Sequence, residues 1–160
     1  MRFKILSLAA AVLLVAACSS TPSNTGAGSA GAQASTTQAG PAPGSAQDFI
    51  VNVGDRVFFG FDQYDLSPEA RATLDRQASW LAQYPRVTVT VEGHADERGT
   101  REYNLALGER RATATKNYLV ARGVDTNRVS TISYGKERPA VLGSNEAAWA
   151  QNRRAVTVVQ

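Results

Sequence analysis

Two side chains of opposite charge frame the chemistry this sequence offers. Asp96 lies in the polar run His94-Ala95-Asp96-Glu97-Arg98, between Gly93 and Gly99. Arg111 follows fifteen positions later. The run reads as a loop and the stretch after it as a helix, which puts Arg111 about three turns in, at ~1.5 Å per residue. A loop folded back over its own helix brings this anion and cation to two sides of one shallow site. Such a pair suits a zwitterion: the carboxylate takes an ammonium, and the guanidinium takes a carboxylate with two parallel bonds. The competing reading is a solvated salt-bridge cluster on a charged helix face.

Other chemistries fit the residues poorly. The chain has one histidine, His94, and one cysteine, Cys18. Zinc sites need three or four N, S or O ligands, which these two do not supply. His94 and Asp96 form an H-x-D pair, but no G-x-S-x-G elbow accompanies it. Gly93 and Gly99 do not make a phosphate-binding loop. The sequence therefore points to a binding protein, not an enzyme, with no cofactor. Nucleic acid is also a poor partner. Lys and Arg total 17 against 14 acidic residues, a formal charge of +3. Setting aside Arg2 and Lys4 leaves 15 against 14, a balance of +1. No basic run or aromatic-interleaved basic strip is present.

The elements that position the loop follow from pattern. Val57-Phe58-Phe59 reads as a first strand, and residues 60–65 as a loop carrying Phe61 and Tyr64. Ser67, Pro68 and Glu69 are N-cap, first helical residue and first-turn acid of a helix that stops before Pro85. Val87, Val89 and Val91 alternate with polar residues, a half-buried strand. The second helix starts near Arg101 and ends at Gly123, a good C-terminal residue. At about 100° per residue, Leu105, Gly108, Ala112 and Leu119 form its expected core stripe. Asn104, Leu107 and Arg111 fall along one flank of that stripe. Residues 129–134 and 155–159 read as two more strands. A short helix over 145–152 lies between them, capped by Ser144 or Asn145. The order βαβαβ(α)β predicts an α/β sandwich with helices on one or both faces of a small sheet.

The N-terminal part reads differently. Residues 1–17 join a positive start, Arg2 and Lys4, to 13 residues that are apolar except for Ser7. That fits a signal segment and is too short for a membrane span. Val15-Ala16-Ala17 before Cys18 resembles the bacterial lipobox, whose cysteine is lipidated; a plain signal peptide with a nearby cysteine is the other reading. Residues 19–47 are 29 uncharged small or polar residues. They bury too little to offset ordering entropy and read as a tether. As a coil it averages roughly 30 Å end to end. Fully stretched it reaches about 100 Å. Residues 48–160 are the expected domain, 113 residues, enough for a core without disulfides or metals.

Residues 93–99, G-H-A-D-E-R-G, and 104–112, N-L-A-L-G-E-R-R-A, resemble the signature of the OmpA-like peptidoglycan-binding family. The similarity continues through F-F-G-F-D-Q-Y-D-L, S-Y-G-K-E-R-P-A-V-L-G and N-E-A-A-W-A-Q-N-R-R-A-V, and so covers nearly all of residues 48–160. The resemblance implies a two-layer sandwich, a mixed sheet with the two main helices on one side. It implies non-covalent binding of the diaminopimelate residue of the peptidoglycan stem peptide. The family's ligand aspartate and arginine fall on Asp96 and Arg111, and neighbouring contacts on Phe61, Asp62, Arg98 and Leu107. Ala95 and Asn104 join them from the same loop and helix flank. Core packing for Phe61, and loop propping for Asn104, are the alternatives. The resemblance also implies the Tol system of cell division as setting, with TolB and other Tol proteins as partners. Lipid on Cys18 would anchor the chain in the outer membrane with its domain in the periplasm, and Ser19 agrees with outer-membrane sorting by family analogy.

Overall fold

The structure, a computed structural model, describes residues 40–160. The expected signal segment, Cys18 and most of the tether lie outside the described residues. Four strands, β1 (Arg56–Phe58), β2 (Val89–His94), β3 (Val129–Gly135) and β4 (Arg154–Val159), form one sheet in the order β1-β4-β2-β3. β4 runs antiparallel to both β1 and β2, and β3 runs parallel to β2. The sheet is mixed, as expected.

The register decides which face is buried. Val57 pairs with Ala155, which also lies opposite Gly93. Val91 lies opposite Thr157 on one side and Thr131 on the other. Directly paired residues point to the same face, so these side chains share one surface. Both main helices, α2 (Pro68–Gln83) and α3 (Arg101–Ala121), pack on it. From α2, buried Gln77 accepts from Thr157 Oγ1 at 2.9 Å and donates to the Gly54 carbonyl at 2.7 Å. α3 approaches β2 so closely that a Cβ on Gly93 would lie 1.8 Å from the Gly108 carbonyl oxygen. Only glycine at both positions permits that contact. Phe49, Leu74, Leu81 and Leu119 are fully buried between the layers. Each such side chain contributes about 1.5–3 kcal/mol.

Helix ends follow local chemistry. Ser67 Oγ accepts from the Ala70 N–H at 3.2 Å, and Pro68 occupies the first turn. Thr100 Oγ1 accepts from the Tyr103 N–H at 3.2 Å to start α3, and Gly123, at φ +97°, follows its end. Asn145, not Ser144, caps the short helix α4 (Glu146–Asn152).

Three details depart from the sequence reading. A short helix, α1 (Ala46–Asp48), leads into a π-helical turn, Phe49–Val53, where no element is expected. The Asp48 carboxylate ties it down, accepting from the Gly44 N–H, Asn52 Nδ2 and Trp80 Nε1 at 2.7–2.9 Å. Phe49 packs edge-on against the Trp80 ring, with centroids 4.9 Å apart. β2 runs on through Gly93 and His94, so these two residues belong to the strand and not to the polar loop. The third departure is the buried face of α3. Leu105, expected in the core stripe, is 44% exposed, whereas Asn104, Leu107 and Arg111, expected on its flank, are buried. The helix is rotated toward a polar inner edge, and backbone carbonyls there satisfy the buried polar groups.

Candidate functional site

A cleft of about 210 Å³ opens at the C-terminal end of β2. Three segments wall it: the loop after β1 gives Phe61 and Asp62, the loop after β2 gives Asp96 and Arg98, and α3 gives Tyr103, Asn104, Leu107 and Arg111. Seven of the eight expected ligand residues therefore meet in one place. Ala95 lies apart from them. It is buried, and its N–H donates to the Gly135 carbonyl at 2.8 Å.

Arg111 is fully buried. Its Nε, Nη1 and Nη2 donate to the carbonyls of Gln63, His94 and Gly60 at 2.8, 2.8 and 3.1 Å. A guanidinium has five N–H donors, so these bonds leave two unused. Burial pushes its pKa down to about 10, with the Asp96 charge opposing the fall, and it stays cationic at neutral pH. The three bonds also shape the wall. They pull the turn at 60–63 onto the helix, and Asp62 at its tip takes φ +56°, a left-handed conformation that aspartate tolerates better than most residues. The Tyr103 hydroxyl donates to Asp62 Oδ1 across the cleft.

Asp96 is 5% exposed. Burial alone would raise its carboxyl pKa. Forked bonds from Arg98 (Nε to Oδ1 at 3.2 Å, Nη2 to Oδ2 at 2.6 Å), the Arg98 N–H and Arg153 Nη1 outweigh burial and hold it below the usual range. The direct partners of Asp96 are thus Arg98 and Arg153, and Arg111 faces it without a direct bond. Arg153 is pinned in turn by the Phe59 carbonyl and by Glu146. The Asn104 amide props the loop, donating to the Arg98 carbonyl at 2.8 Å, and also lines the cleft. Phe61 is 60% exposed, which excludes core packing, and lies over the Arg98 guanidinium at 4.1 Å.

His94 contributes only its backbone carbonyl here. Its side chain is 2% exposed and does not line the cleft. Sequence reasoning passed over Tyr103, Arg153, Glu146 and Trp149. Helical spacing gives a signal for the first, since Tyr103, Leu107 and Arg111 succeed one another at four-residue steps on one face. The other three lie in the N-E-A-A-W-A-Q-N-R-R-A-V stretch that carries the resemblance, but no spacing there ties them to a loop about fifty residues earlier.

Residues 58–153 match the OmpA family, well over half of the chain. The chain belongs to the OmpA family. Its OmpA domain is similar to proteins named peptidoglycan-associated lipoprotein. The one from Brucella melitensis is 55% identical over 150 residues, covering 92% of this chain and 86% of the relative. The one from Haemophilus influenzae is 48% identical over 153 residues, covering 96% and 95%. The crystal structure of the peptidoglycan-associated lipoprotein from Burkholderia pseudomallei superposes with a TM-score of 0.65 at 44% identity, covering 66% of this chain and 90% of that one. The OmpA fold extends to the C-terminal domain of Helicobacter pylori MotB, with a TM-score of 0.61 at 22% identity.

Proposed function

We propose that this chain is a peptidoglycan-associated lipoprotein that grips the wall without covalent chemistry, through the cleft between Asp96 and Arg111. The ligand is the free end of a diaminopimelate side chain, with its ammonium and carboxylate on one carbon. The observation that carries this reading is a buried carboxylate and a buried guanidinium lining one cleft of about 210 Å³. The ammonium meets Asp96, and the carboxylate takes the two N–H donors left on Arg111. The relatives' name, peptidoglycan-associated lipoprotein, supports the wall as the target. The role is binding and not catalysis: the only histidine is buried away from the cleft.

The fold also suits a tether running to a membrane. Gly44 lies against the Tyr84 ring, beside the start of β2, while the cleft lies at the other end of that strand. A lipid on Cys18 would hold the chain in the outer membrane with the cleft turned away toward the wall. In the Tol system, TolB would dock on the exposed Phe61–Tyr64 turn, beside the same cleft, so the two partners would compete.

The test is calorimetry of the full chain in detergent with the tripeptide L-Ala-γ-D-Glu-meso-diaminopimelate. The same tripeptide with lysine in third place keeps its C-terminal carboxylate but lacks the one at the end of the side chain. Each charge-assisted bond is worth roughly 1.5–3 kcal/mol, so the lysine form should bind about tenfold or more weakly. Equal binding of the two peptides would remove Arg111 from the reading.

A further inference from the structure

α4 supplies none of the residues that the proposed function uses, yet it touches Arg98, which lines the cleft. The Arg98 guanidinium lies over two aromatic rings, Phe61 at 4.1 Å and Trp149 at 4.1 Å. Trp149 is fixed in turn, its indole Nε1–H donating to Glu97 Oε1 at 3.0 Å. A guanidinium stacked on aromatic rings keeps its in-plane N–H donors free for carboxylates. Arg98 uses them on Asp96, through Nε and Nη2.

The clamp matters because Arg98 has somewhere else to go. Its side chain is 31% exposed, and the Glu146 carboxylate lies 4.0 Å from its Nη1. Without a ring behind it, the guanidinium is free to swing from Asp96 toward Glu146 or across the cleft mouth. Asp96 would lose the neighbour that orients it. Arg153 cannot replace Arg98 there, since it is buried and reaches Asp96 only at 3.5 Å.

We propose that Trp149 is a positioning residue for the cleft: it clamps Arg98 on Asp96, so that the carboxylate is held in the orientation in which it lines the cleft and attracts the ligand's ammonium. The proposal rests on the reading of the cleft given above. Trp149 itself makes no contact with the ligand and acts through Arg98. Rigid placement of a charged group in the free protein raises affinity by lowering the ordering cost of binding.

The experiment is calorimetry of the full chain in detergent with the same diaminopimelate tripeptide, alongside thermal melts. Trp149→Ala should bind about fivefold more weakly, the scale of a partly desolvated cation–π contact. Trp149→Phe keeps a ring but loses the bond to Glu97, and should stay within about twofold of wild type. In an Arg98→Met background, Trp149→Ala should cost less than about 1.5-fold, because the link it acts through is gone. A packing role alone would allow rescue by phenylalanine but would not give the lost additivity. Wild-type-like or tighter binding by Trp149→Ala overturns the proposal, as does an equal loss in the Arg98→Met background or a failure of Trp149→Phe to rescue. If wild type itself does not bind the tripeptide, the cleft reading fails and this proposal falls with it. A bound wild type beside an unchanged Trp149→Ala overturns the proposal alone.

Discussion

Lowering the pH from 7 to 5 should weaken this fold through one side chain. His94 is 2% exposed at the end of β2, with its ring 5.6 Å from that of Tyr134. Burial first, then the positive charges of Arg154 and Arg138, push its pKa from 6.5 to about 4. The nearest carboxylate, Glu92 at 3.6 Å from Nε2, does not offset them. Between these two pKa values the unfolded chain binds the proton and the folded chain does not. Stability is therefore full above pH 6.5 and is lost as pH falls toward 4. The whole gap corresponds to about 3 kcal/mol at 1.36 kcal/mol per unit. About 2 kcal/mol of it should disappear between pH 7 and pH 5. The carboxylates with lowered pKa, Asp48, Glu69, Asp96 and Glu97, do not confuse this window. Their contribution is present above their ordinary values near 4 and is lost only below them. The assay is urea unfolding at both pH values, with NMR titration of the ring; the chain has a single histidine, so its Hε1 signal needs no assignment. His94→Gln should flatten the dependence to below about 0.5 kcal/mol over the same window. An imidazole titrating at 6 or above, or an equal acid loss in the variant, would refute the reasoning. The effect reaches the cleft as well, because the His94 carbonyl holds Arg111 Nη1 at 2.8 Å.

Three further outcomes are expected. Gly93→Ala drives a Cβ to 1.8 Å from the Gly108 carbonyl oxygen, and should cost about 3 kcal/mol or more in a urea melt, since backbone on both sides has to move. Arg111→Lys removes the planar fork that reaches the Gly60, Gln63 and His94 carbonyls, and should destabilise by about 2–4 kcal/mol, whereas exposed Arg110→Lys should stay within about 0.5 kcal/mol. Cys18→Ala should abolish incorporation of a labelled fatty acid and release the chain from membranes; label that persists in the variant would remove the anchor from the proposed function.

What could be read from the sequence was whatever local chemistry determines. Ser67 with Pro68 starts α2, Gly123 follows the end of α3, and alternating valines mark β2, because each signal acts within a few residues. The loop and helix that carry Asp96 and Arg111 were legible for the same reason. α3 shows where this reasoning stops. Apolar spacing put Leu105 inside, yet the helix buries Asn104 and Arg111 instead. A buried guanidinium is tolerable only if its donors are satisfied. Its acceptors are the Gly60 and Gln63 carbonyls, about fifty residues earlier, and the His94 carbonyl. No periodicity in the helix encodes those partners. The same holds for Asp96, whose second cation is Arg153 and whose first is clamped by Trp149, both from the last segment of the chain. Residues 44–53 were missed for a related reason: their order depends on the Asp48 bond to Trp80 and on Phe49 beneath that ring. The motif thus pointed to Asp96 and Arg111, while the set of charges that orients Asp96 exists only once β4 and α4 have closed on the loop. Substitutions at Arg153 or Trp149, outside the recognisable loop and helix, should for that reason bear on the cleft as directly as many within it.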